Sequence, residues 1–109
     1  MEPHRQPRPM TPAEATAFLR SKVGPALTLR PSEHALEQLS ARGLIMGDVL
    51  HILKFGFVYQ EAQSATRGFF KYLMEGTTPN SGNRPIRIVV IPSPADEIKL
   101  VTVMWVDER

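Results

Sequence analysis

The sequence predicts an α+β domain, with two or three N-terminal helices followed by a four- to five-stranded, mostly antiparallel sheet. Three observations carry this. Apolar residues up to Gly56 recur with helical period between recognisable caps. From Phe57 onward they come in runs of β-formers instead. The links between those runs are too short to hold the crossover helices that parallel strands need.

The first helix is read from "TPAEATAFLRSKVG", with Thr11 as N-cap, Pro12 at the first helical position, Glu14 completing a capping box, and Gly24-Pro25 as the stop. Its apolar stripe is Ala15, Phe18, Leu19 and Val23. "ALTLR" is a short strand ended by Pro31. Ser32 then caps a second helix, Glu33 suits its positive end, Ala35, Leu36 and Leu39 face the core, and Gly43 takes the left-handed position after Arg42. The third helix, "MGDVLHILKFG", carries Val49, Leu50, Ile52 and Leu53 as its apolar side and ends at Gly56. The strands are "FVYQEAQ", "RGFFKYLM", "IRIVVI" and "IKLVTVMWV". Phe70, Tyr72 and Met74 should be buried opposite a wetter face of Arg67, Phe69 and Lys71, and Ile86, Ile88 and Val90 opposite Arg87. The last strand, apolar on both faces except at Thr102, should be central, and "TTPNSGN" should be the flexible loop.

At 109 residues, 42% of them hydrophobic and 22% charged, the chain reads as one globular domain over residues 11–109 behind a flexible tail at 1–10, where prolines crowd. With no cysteine, disulfide frameworks, thiolate zinc sites and cysteine nucleophiles are excluded. The opening "MEPHRQPRPM" has no apolar signal core and no run reaches the ~18 residues of a membrane span, so a cytoplasmic protein away from membranes is expected. The net charge is only +2 despite a pI near 9.3, so attraction to phosphate requires local clustering of cations.

Two constellations could carry chemistry. His34, Gln38 and Arg42 follow one another at i, i+4 and i+8 and line one slowly turning helix face. An imidazole able to move a proton beside a guanidinium able to hold phosphate suits phosphodiester chemistry; a solvated helix face with a cation at its C-terminal end fits the same spacing. The second constellation is Arg67, Phe69 and Lys71, with Arg84 and Arg87. Cations interleaved with an aromatic resemble a single-strand nucleic-acid platform, and equally a charged face that blunts an edge strand. His51, among apolar neighbours, reads as a partly buried structural residue, and His4 lies in the tail. No Gly-rich phosphate loop, G-x-S-x-G or H-E-x-x-H is present, and Glu33 with Glu37 reads as solvated surface, so neither cofactor nor metal is expected.

The run "SEHALEQLSARGLIMGDVLHIL", followed by "KYLMEG", "RPIRIVVI" and "IKLVTVMW", resembles the family named domain of unknown function 4258, a relative of the RelE, ParE and BrnT toxin group, over about residues 27–107. Ser32, His34, Ala35, Arg42, Gly43, Asp48, Val101, Thr102 and Val103 match its pattern, while Gln38 stands where an Arg is usual and so removes one phosphate contact. The resemblance implies a RelE-like fold and an RNA-directed protein of toxin-antitoxin type, a metal-independent endoribonuclease or translation inhibitor. In that reading His34 is the acid or base, Arg42 and Arg87 stabilise the phosphorane charge, and Thr102 is a positioning hydroxyl. The partners would be RNA, ribosome-bound mRNA included, and a cognate antitoxin. The alternative is a non-catalytic module of the same fold that acts through a protein partner.

Overall fold

The computed structural model describes residues 8–108; residues 1–7, and with them His4 and most of the expected tail, lie outside the described residues. The elements in order are α1 (Pro12–Lys22), β1 (Thr28–Pro31), α2 (Glu33–Ala41), α3 (Met46–Phe55), β2 (Phe57–Val58), β3 (Gln63–Ser64), β4 (Phe70–Gly76), β5 (Ile86–Pro92) and β6 (Glu97–Trp105). Three helices and a six-stranded sheet confirm the α+β class. No described helix is long and apolar enough to cross a membrane.

The caps form as the sequence predicts. Thr11 and Glu14 close their reciprocal box, Ser32 Oγ accepts from the Ala35 N–H at 3.0 Å, and Gly43 adopts φ +67°. Two apolar assignments need correction. Leu36 is 48% exposed and Leu50 37%, because each helix meets the sheet along a narrow stripe and these residues fall on its flank. The first helix lies against α3 and β2, where Ala15 and Leu19 are fully buried.

The sheet runs β1-β6-β5-β4-β2, with β3 also paired to β4 beyond β2. It is mixed rather than antiparallel throughout: β1 pairs with β6 in parallel, Thr28 opposite Glu97 and Pro31 opposite Leu100. A parallel neighbour needs a long connection, and here that connection is the rest of the domain. The run "FVYQEAQ" is two short strands, and "RGFFKYLM" becomes a strand only at Phe70, because Arg67 (φ +59°) and Gly68 (φ +79°) turn the chain. The last strand lies between β1 and β5 only over its first half.

Strand alternation sends Val58, Tyr72, Met74, Ile86, Ile88, Val90, Ile98, Leu100 and Val103 into one core with the helices. Every helix contributes to that same side. Among the described residues no helix covers the opposite face of the sheet, and its side chains are half-buried or exposed.

The "TTPNSGN" loop is pinned rather than loose. Asp48, 4% exposed at the start of α3, accepts from Ile45 N–H (2.9 Å), Thr78 Oγ1 (2.7 Å) and Asn80 Nδ2 (2.9 Å). Burial alone would push this carboxyl up, but the hydrogen bonds from Asn80, Ile45 and Thr78 prevail and hold it below the ordinary aspartate value.

Candidate functional site

The helix stripe that suggested a site closes a strand edge. Past Leu100, β1 leaves β6, and the outward backbone groups of β6 would have no partner. Side chains take them over: Ser32 Oγ donates to Val101 O (3.2 Å), Val103 N–H donates to Gln38 Oε1 (2.8 Å), and Trp105 N–H donates to Glu108 Oε1 (2.7 Å). Arg42 then grips Glu108 with Nε on Oε1 at 2.9 Å and Nη2 on Oε2 at 2.5 Å, and also donates to Gln38 O. That pairing holds Glu108 at a pKa of about 2, below its ordinary 4.5, and raises Arg42. Gln38 therefore has a structural task of its own. His34 stands exposed on the first turn of α2.

The other residues singled out by sequence lie on the open face of the sheet or at its margins. Arg87 pairs with Glu75 on the neighbouring strand, both bonds falling on Oε2 at 2.7 and 2.6 Å. Thr102 faces Val89 in the middle of the same surface, half-buried, beside the bulge that sets Val101 out of register. His34 and Arg42 belong to the α2 edge, whereas Arg87 and Thr102 project from the open face. Arg84 precedes β5, pairs with Asp107 at 3.0 Å and lies over the Trp105 ring at 4.2 Å. The Arg84 guanidinium, bonded to Asp107, lowers that carboxyl.

Arg67, Phe69 and Lys71 do come together, at the opposite end of the open face. The register lines up Arg30, Lys99, Ile91, Lys71 and Gln63 across five strands, since Arg30 opposes Lys99, Lys99 opposes Ile91 and Lys71 opposes Gln63, while Tyr72 opposes Val90 one step along. Beside this row is a hollow of about 470 Å³ lined by Arg67, Phe69, Ile91, Ser93, Glu97 and Lys99. Arg30 is engaged by Glu97. Among the described residues no carboxylate pairs with Arg67, Lys71 or Lys99, in contrast to Lys22, Arg30, Arg42, Arg84 and Arg87.

The far edge of the same face carries aromatics. Phe57 opposes Glu75 and so points to the open side, while Val58 is buried opposite Met74. Phe57 is 51% and Tyr59 61% exposed, with ring centroids 6.2 Å apart. Gly56 makes this placement feasible: a Cβ there would stand 2.6 Å from Glu75 O and 2.7 Å from Ile52 O. His51, half-buried as expected, lies against Phe55 with ring centroids 4.8 Å apart and the planes tilted by 48°. The sequence reading does not single out Lys99, Phe57 or Tyr59. Their signals were a lone cation inside the last apolar run and alternation in "FVY". Among the described residues no three His, Asp or Glu side chains gather as a metal site.

Four of the family-pattern residues thus have visible structural work: Ser32 caps a helix and a strand edge, Arg42 grips Glu108, Gly43 supplies a left-handed turn, and Asp48 ties α3 to the loop after β4. No curated protein and no solved structure matches the chain. The model of the family described as Domain of unknown function (DUF4258) matches residues 32–105, more than half of the chain, and the chain belongs to that family.

Proposed function

We propose that this chain is an RNA-directed protein of toxin type that acts by holding a single-stranded segment on the open face of its sheet. One observation carries the reading: among the described residues Arg67 and Lys99, which line the hollow with Phe69, and Lys71, in the register row beside it, are left unpaired by carboxylates at one end of that face. Phosphates need cations that are not already neutralised, and a base needs an accessible ring. A cognate antitoxin and a RelE-like ancestry belong to the same proposal.

Cleavage by His34, Arg42, Arg87 and Thr102 would require Arg42 to leave Glu108 and Arg87 to leave Glu75. Binding requires neither, so the reading rests on binding and translation inhibition. The test is fluorescence anisotropy with a labelled single-stranded RNA over a salt series. Three phosphate contacts give a log-log slope of about −2, or a loss of roughly 18-fold between 50 and 200 mM salt. The triple variant Arg67→Ala, Lys71→Ala, Lys99→Ala should lose binding, and Arg84→Ala should retain it. Salt-independent binding, or full binding by the triple variant, would refute the assignment. Incubating RNA with the protein and with His34→Ala, with and without ribosomes, separates binding from cutting.

One observation favours a protein partner as the second reading: Leu36, Ile45 and Leu50 expose 48%, 62% and 37% of their surface on the helical side, away from the cationic end. Co-purification of one stoichiometric protein without RNA would favour it.

A further inference from the structure

At the β2 edge a cavity of about 430 Å³ is lined by His51, Phe55, Phe57, Tyr59, Glu75 and Thr77, and the cationic end makes no use of it. We propose that this cavity is a guanine subsite for a base of the bound strand, a proposal that rests on the RNA reading above. The cavity opens at the β2 edge, between α3 and the margin of the open face, where Glu75 is four residues from Lys71 on β4, about 13 Å at strand spacing and within reach of one short oligonucleotide.

The aromatic part supplies stacking. Arg20 donates to the carbonyls of Phe55 and Gly56, and its guanidinium lies over one face of the Phe57 ring, 4.8 Å from the centroid. The ring is thus held from the helix side, Tyr59 stands beside it with centroids 6.2 Å apart, and both residues are more than half exposed to an incoming base. Stacking alone accepts any base.

Glu75 supplies the choice. Both Arg87 bonds fall on Oε2, so Oε1 is left to accept from a ligand, and the ion pair keeps the carboxylate oriented. Guanine presents two adjacent donors, N1–H and the N2 amino group, on its Watson-Crick edge. Adenine and cytosine present an acceptor beside their donor there, and uracil places N3–H between two carbonyls. Oε1, an acceptor with two lone pairs, therefore takes both donors of guanine and repels uracil.

The experiment compares labelled RNA hexamers in anisotropy titrations: all-uridine, and uridine with one guanosine, one adenosine or one inosine. All should share the salt slope set by the cationic end. The guanosine hexamer should bind about tenfold tighter than the adenosine one, because both guanine donors converge on Oε1 whereas adenine sets an acceptor beside its donor, with inosine in between for want of the N2 amino group. Glu75→Gln should erase the guanosine advantage, while all-uridine binding is kept or strengthened because Arg87 loses its charged partner. Should that variant fail to fold, Tyr59→Leu at the exposed ring decides, since it should weaken guanosine binding several-fold and spare all-uridine. Equal affinity for guanosine and adenosine hexamers, or an unchanged ratio of guanosine to all-uridine affinity in Tyr59→Leu, overturns the subsite while the RNA reading stands. If no hexamer binds, both fall.

Discussion

Replacing Asp48 with Ala tests how the fold is tied together. The carboxylate accepts three hydrogen bonds, from Ile45 N–H, Thr78 Oγ1 and Asn80 Nδ2, at 2.7 to 2.9 Å. The first caps a helix end and is worth about 1 kcal/mol. The second leaves a buried hydroxyl without its charged acceptor, about 1.5 kcal/mol, and the third involves a more exposed amide, about 0.5 kcal/mol. The sum is about 3 kcal/mol, or a fall in Tm of about 12 °C at roughly 4 °C per kcal/mol. Thermal melting followed by circular dichroism at neutral pH measures it. Adding Asn80→Ala to Asp48→Ala should cost little beyond the Asn80 bond to Gly43 O, because their shared bond is already gone. A fall in Tm below about 4 °C, or full additivity of the two substitutions, would refute the view of Asp48 as the tie.

Gly56→Ala should destabilise by about 1–3 kcal/mol, since its Cβ would press on backbone carbonyls that cannot swing away, and urea unfolding would register this as a lower midpoint at unchanged slope. Gln38→Ala leaves Val103 N–H without its acceptor and should cost about 1–2 kcal/mol by the same measurement; Gln38→Arg should not restore it, because a guanidinium cannot accept a hydrogen bond. Glu108 titrates near 2 when folded against an ordinary 4.5, so its contribution is present above pH 4.5 and lost as the pH falls toward 2. Glu108→Gln should accordingly be less stable than the parent at neutral pH, and the difference should close in an acid series.

The helices were legible because their signals are local. Caps at Thr11 and Ser32, the stop at Gly43 and the 3.6 period all lie within a few residues of what they control. The strands from Phe70 onward were legible from alternation. What escaped is non-local: the parallel β1–β6 pairing, the service of Gln38 and Arg42 to β6 and Glu108, and the Asp48 bonds to Thr78 and Asn80. Alternation alone assigns Arg67 to a strand, whereas Gly68 beside it marks the turn that the chain makes there. The basic stripe was legible as residue types but not as free or spent charge. Arg84 and Arg87 look the same as Arg67 in a sequence, and only the positions of Asp107 and Glu75 separate them.

The parallel pairing of β1 with β6 also bears on how the chain reaches this fold. The β4–β5 and β5–β6 antiparallel pairs join neighbours in sequence, whereas Thr28 must wait for Glu97. Loop closure over that span costs entropy before any contact rewards it, so β1 should dock late and, at equilibrium, open first. Amides of Thr28 and Ser32, which donate to Asp96 O and Leu100 O, should then exchange with solvent sooner than those in the middle of β5.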